Sequence, residues 1–164
     1  MDEVHTGGCL CGAVRYKVTG PPDAAFVCHC NFCQRASGGA FQIPVYFPRE
    51  HVEFTGGPMH EYEHRIEDHG RAFRLQSCPR CSTRLGWTFD RNPAWQCISG
   101  GTFDDPNWFG VSAHIFTESA VAWMAFPPDV RVYEKHVLTE GGEKVKPLAR
   151  QSRPWRKADL VTPG

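Results

Sequence analysis

Gly8-Cys9-Leu10-Cys11-Gly12-Ala13-Val14-Arg15-Tyr16-Lys17-Val18 carries two signals in one short stretch. Its first half sets two cysteines either side of one residue and closes them with a glycine. Its second half, from Ala13, alternates apolar and polar side chains and stops at Gly20-Pro21-Pro22. Alternation of period two marks a strand buried on one face, and Gly-Pro-Pro marks a turn. On extended chain, residues i and i+2 share a face, so Cys9 and Cys11 can meet one ion from one side. Gly12 permits the tight turn that such a loop needs.

The other cysteines extend the pattern. They stand at 28, 30, 33, 78, 81 and 97, and all but Cys97 fall into tight clusters. Disulfides need particular Cα separations, so bridges across Cys9-Leu10-Cys11 or Cys28-His29-Cys30 would be strained. The N-terminus has acidic residues where a signal peptide has basic ones, and it lacks an apolar h-region. No apolar run approaches the roughly 18 to 20 residues of a spanning helix. The chain is therefore expected to stay in the cytoplasm, where thiols are reduced, and metal is the favoured use of its clusters.

Cys78-Pro79-Arg80-Cys81 is a knuckle of the kind that supplies two ligands to structural zinc. With Cys9 and Cys11 it makes a four-cysteine site that pins the N-terminal strand to the middle of the chain. Such a site contributes folding free energy directly. For each pair alone the competing reading is a redox dithiol.

Cys28-His29-Cys30-Asn31-Phe32-Cys33 packs three thiols into six residues. Cys28 and Cys30 share a face if extended, and Cys33 comes round on the next turn. Three protein ligands with one open position is the pattern of catalytic zinc. Two alternatives compete: Cys97 or His29 closes the site as a fourth ligand, or the seven clustered cysteines share metal in one cluster. Cys97, in an apolar strand-like stretch, reads as a buried inert thiol. His29 reads as an acid or base at the pocket rim or as a surface histidine, His114 as a core histidine. Arg35 reads as an anchor for an anionic substrate or as a solvated side chain.

Further strands are expected at Phe41–Phe47, with Pro44 at an edge or bulge, at His51–Phe54, Arg71–Gln76 and Leu85–Phe89. Phe109–Phe116 and Ala120–Trp123 read as two more, joined by a polar turn. Asn31–Ala36 reads as a helical turn capped by Asn31 and ended by Gly38-Gly39. The sixteen glycines and thirteen prolines are scattered and mark no single linker. The fold is thus expected to be mainly β, with antiparallel strands and short turns.

At 164 residues the chain fits one domain with a real core. Its formal net charge of zero argues against nucleic-acid or acidic-membrane partners. We expect a domain over residues 1–138 and a polar, basic C-terminal arm over 139–164, which includes Arg150–Lys157.

These clusters, in this order and spacing, resemble the glutathione-dependent formaldehyde-activating enzymes, a family that includes centromere protein V. Gly101-Thr102-Phe103-Asp104-Asp105-Pro106 and His114-Ile115-Phe116 also match, so the resemblance covers about residues 5 to 125. It departs from the family at Ser82, where a glycine usually follows the second knuckle. The resemblance implies stacked antiparallel sheets, the Mss4-like β-tent. It implies two zinc ions: a structural one on Cys9, Cys11, Cys78 and Cys81, and a catalytic one on Cys28, Cys30 and Cys33. It implies carbon–sulfur lyase chemistry that joins glutathione, a small thiol, to formaldehyde, a small carbonyl, as S-hydroxymethylglutathione. The alternative is a non-catalytic zinc module that binds a protein or another partner.

Overall fold

Alternation and breaks put the chain into short strands, and a computed structural model shows how they pair. It describes residues 3–67 and 70–148, so Arg150–Lys157 and Trp155 lie outside the described residues. Two compact units divide the chain. The first takes in residues up to Ala25 and Ile43–Gly110, the second Phe26–Gln42 and the residues from Val111 onward.

In the first unit, β1 (Val4–Gly8), β2 (Arg15–Thr19) and β5 (Val52–Thr55) form an antiparallel sheet. The alternation read in the sequence is realised in β2: Tyr16 and Val18 are buried, while Lys17 is exposed and pairs with Glu53 across the strands. A second sheet holds β4 (Pro44–Pro48), β6 (His60–Arg65), β7 (Ala72–Ser77), β8 (Arg84–Phe89) and β9 (Trp95–Ser99). Its order is β4-β9-β8-β7-β6, all antiparallel. The first residues of β3 (Ala24–Cys28) pair with β4.

Phe103 links the two sheets of this unit. Its ring lies 5.4 Å from Tyr16 of β2 and 6.3 Å from Phe47 of β4. The Gly100–Thr102 segment before it is a 3-10 turn. Thr102 donates to the Ser99 carbonyl and accepts from the Tyr16 hydroxyl, so this glycine pair serves packing.

In the second unit, the end of β3 pairs in parallel with β10 (Ala113–Ile115), and β10 in parallel with β11 (Arg131–Val132). Between β3 and β10 in the chain lies the helix α1 (Asn31–Ser37). Residues 139–148 turn back on the unit: Val145 N–H donates to the Val137 carbonyl and Leu148 N–H to the Val132 carbonyl.

The mainly β expectation holds, with corrections in detail. The second unit's strand pairs β3-β10 and β10-β11 are parallel, which the long connections between these strands allow, while Cys28 and Gln42 form an isolated antiparallel bridge. Pro44 is the first residue of β4, which has neighbours on both sides; the missing N–H is tolerated at a strand start. Ala120–Trp123 is no strand. Phe116 turns the chain with a φ of 56°, a 3-10 turn follows at Thr117–Ser119, and Trp123 is exposed.

β8 and β9 approach so closely at Gly86 that a Cβ there would run into the Cys97 carbonyl oxygen. Gly86→Ala is expected to destabilise the protein by about 1–3 kcal/mol. Gly101→Ala, where a Cβ meets nothing within 4 Å, should stay within about 0.5 kcal/mol of wild type in urea denaturation.

Candidate metal centres

Hairpin loops build the first centre. β1 pairs with β2 up to Gly8 and Arg15, and β7 pairs with β8 up to Ser77 and Arg84. The loops between, residues 9–14 and 78–83, share a pattern. Cys9 N–H donates to the Val14 carbonyl at 2.9 Å, and Cys78 N–H to the Thr83 carbonyl at 3.0 Å. Each loop then needs a left-handed residue. Gly12 supplies it in the first with a φ of 74°, and Ser82 in the second with a φ of 59°. Cys9 and Cys11 are therefore brought together by a turn and not by extended strand, because the hairpin must reverse direction there.

Four thiols converge between the loops. Cys9 Sγ lies 3.6 Å from Cys11 Sγ, which lies 3.7 Å from Cys78 Sγ. The four sulfurs, Cys81 included, lie within 4.8 Å of one another. Backbone N–H groups donate to them: Val14 to Cys9 at 3.2 Å and Arg80 to Cys78 at 3.4 Å. Thr83 Oγ1 lies 3.2 Å from Cys81 Sγ and accepts from Leu10 N–H of the other loop. The hydroxyl of Thr83, followed by its backbone N–H, holds the Cys81 thiol down at about 5.

These distances decide what the cluster can be. A disulfide needs sulfurs about 2.05 Å apart. Tetrahedral zinc with bonds of about 2.3 Å needs them about 3.8 Å apart. All eight cysteines are free thiols. The donor set and spacing fit zinc.

The second centre lies in the other unit. Cys28 ends β3, held by the Gln42 carbonyl at 2.8 Å and the Gln42 N–H at 3.0 Å. Cys30, not Asn31, is the N-cap of α1: it is extended, and its sulfur accepts from Cys33 N–H at 3.3 Å. That reach is open to Cys30 because it stands three residues before a free N–H of the first turn. Gly38 ends the helix with a φ of 71°, as expected. Cys28 Sγ lies 3.5 Å from Cys30 Sγ, and all three sulfurs lie within 4.8 Å of one another.

Crowding shapes the acidity of the trio. The thiols of Cys28 and then Cys33 donate to Cys30 and hold it down at about 3. Cys28 is pushed up to about 12, first by its contact with Cys30, and Cys33 is pushed further up by Cys28 and then Cys30. One thiolate is thus sheltered by two neighbours that cannot follow it. A cation among the sulfurs removes that obstacle.

His29 is neither at a rim nor on the surface; it is fully buried. The apolar run Ala24–Val27 before it was the available sign, since β3 is buried along most of its length. Its Nε2 lies 2.9 Å from Nδ1 of His114, which is buried as expected. Burial, and then His114, lowers its pKa to about 4; burial lowers that of His114. His29 does not join the trio, and neither does Cys97, which is buried on β9. The seven clustered cysteines form two groups, not one. Arg35 is exposed on α1. Sequence reasoning gave no role to Gln34, whose amide donates to the carbonyls of both His29 and Ser119.

The fold and centres define a mainly β protein with two thiol clusters that could bind metal ions. The model of the glutathione-dependent formaldehyde-activating enzyme family matches residues 4–119, and the chain belongs to that family. A Halomonas elongata protein, provisionally named as a glutathione-dependent formaldehyde-activating enzyme, is 32% identical over 92 residues. That match covers 54% of this chain and 57% of the relative, so it spans little more than half of either. A crystal structure of a Rhodobacter sphaeroides protein is similar over 60% of this chain and 87% of that one, with 19% identity and a TM-score of 0.47. No helix among the described residues is long and apolar enough to cross a membrane.

Ser82 stands in left-handed backbone that costs a side-chain-bearing residue about 1–2 kcal/mol. Glycine avoids that strain but loses more entropy on folding. Ser82→Gly is expected to stabilise the protein by up to about 1 kcal/mol, and β-branched Ser82→Val to destabilise it by about 1–2 kcal/mol, in denaturant midpoints measured under one buffer condition.

Proposed function

We propose that the chain binds two zinc ions and is an enzyme of the carbon–sulfur lyase type. One ion would be held by Cys9, Cys11, Cys78 and Cys81 and would be structural. The other would be held by Cys28, Cys30 and Cys33 and would be catalytic. The observation that carries this reading is the trio itself: three thiols in contact, with no fourth His, Cys, Asp or Glu joining them among the described residues. A full set of four protein ligands marks a structural zinc, and a set of three leaves a position for chemistry.

The preferred substrates are glutathione and formaldehyde, the pair in the family's name. In the reaction the thiol sulfur bonds to the carbonyl carbon, and the thiol proton ends on the carbonyl oxygen. Zinc held by Cys28, Cys30 and Cys33 would supply a Lewis acid able to lower the pKa of a substrate thiol. The chain's own residues hold that place. Cys28 is fixed by its ladder to Gln42, Cys30 by its cap to α1, and Cys33 by the first turn of the helix. The proposed place of work is the cytoplasm, where reduced thiols are the norm.

The two sites should fail differently. The four-cysteine ion joins two hairpin loops far apart in sequence, so Cys81→Ser should misfold or aggregate. The trio spans six residues and closes no long loop, so its loss should cost little folding free energy. Cys30→Ser should stay folded, keep about one zinc of two by elemental analysis, and lose product formation followed by NMR against the uncatalysed background. A Cys30→Ser protein that reacts as fast as wild type would place the chemistry elsewhere. One that unfolds as readily as Cys81→Ser would make the trio structural.

A further inference from the structure

Residue 29 stands between two of the three thiols, and its side chain goes the other way. Along extended chain successive side chains alternate, so a His29 ring turned into the core leaves Cys28 and Cys30 on the opposite side. Whatever holds that ring inward bears on where the two sulfurs point.

The main chain of His29 is tethered at both ends. Its N–H donates to the Ile115 carbonyl at 3.0 Å, and its carbonyl accepts from the Gln34 amide at 2.6 Å. The Gln34 amide also donates to the Ser119 carbonyl at 2.7 Å. These bonds hold the peptide on either side of residue 29, and they are the bonds that would have to give if the buried ring sought water. The ring is packed by Phe41 and Phe126, at centroid distances of 5.8 and 5.6 Å. Phe126 also packs edge-on against His114, at 5.1 Å.

Only one polar anchor reaches the ring among the described residues. Nδ1 of His29 is buried with no hydrogen-bond partner, and Nε2 meets His114 Nδ1 at 2.9 Å. The two rings are near parallel, 18° apart. Without His114, both nitrogens of a fully buried imidazole would lack a partner. A buried polar group in that state is driven toward water. For a fully buried ring to reach water the main chain at residue 29 has to turn against its tethers, and the alternation would then carry Cys28 and Cys30 with it.

We infer that His114 is a positioning residue for the three-cysteine centre: by anchoring the His29 ring in the core it sets the directions of the Cys28 and Cys30 thiols. This rests on the reading of the trio as a zinc site. The sulfurs are pre-aimed, so an ion entering the trio meets ligands already in place. Groups that orient metal ligands from outside typically change affinity by about 10–100-fold when removed.

The test uses the full chain and zinc itself, titrated against a chromogenic chelator so that the two ions are released in separate steps. Cobalt in place of zinc gives a second readout through its thiolate absorption. His114→Leu keeps bulk and removes the anchor; the weaker-held ion should bind about tenfold or more less tightly, with the other ion unchanged. His114→Asn, whose side-chain oxygen can stand near the place of Nδ1, should restore most of the affinity. His114→Gln, which puts its polar atoms further out, should not. If His114→Leu fails to fold, the Asn and Gln variants decide: a difference of about tenfold between them supports the role, and equal affinity overturns it. A folded His114→Leu protein with two ions at wild-type affinities overturns the role of His114 alone. A wild-type chain that takes up only one ion overturns the reading of the trio, and this inference with it.

Discussion

Sulfur atoms crowded together without bonding are the constraint around which both units are arranged. Cys28 and Cys30 lie 3.5 Å apart. Two unit charges at that separation repel by about 5 kcal/mol at an effective dielectric of 20. The trio can therefore carry one thiolate unaided and cannot carry three. The acidities reflect this, with Cys30 held low and its two neighbours pushed up. A dication turns the same crowding from a penalty into coordination. The backbone N–H groups of Val14, Arg80 and Cys33, aimed at sulfur, point the same way, since donors of this kind favour the ionised form.

The two centres use different scaffolds. The first is a meeting of hairpin loops, each closed by a cysteine-to-position-six backbone bond and a left-handed residue. The hairpins come from different sheets of one unit, so metal there would tie those sheets together. The second is local: a strand end, a cap and one helical turn, backed by two histidines and two phenylalanines. Ligands gathered from distant segments suit a structural ion, and ligands gathered from one short loop can be arranged around a vacant coordination position.

Much of this was legible in the chain. The clusters declare themselves by spacing, β2 by its alternation, and the end of α1 by Gly38. What was hidden has physical reasons. β6 is polar at nearly every position, because it forms a sheet edge with few buried residues and so shows no alternation. The parallel pairing of β3 with β10 joins residues far apart in sequence, which no local pattern records. The same distance hid the pairing of His29 with His114. Cys30 was overlooked as a cap because sulfur is a weak acceptor and caps are sought among Ser, Thr, Asp and Asn. Ala120–Trp123 looked like a strand on composition, yet the left-handed Phe116 sends the chain elsewhere.

The central claim is that seven thiols hold two separate zinc ions, four on one and three on the other. X-ray absorption at the zinc edge, on reduced protein loaded with two equivalents, tests it most directly. The account predicts a sulfur shell at about 2.3 Å with between three and four sulfurs per zinc, and no imidazole scattering. A nitrogen shell at about 2.0–2.1 Å with the outer pattern of a histidine ring would contradict it, as would a zinc–zinc vector from a shared cluster.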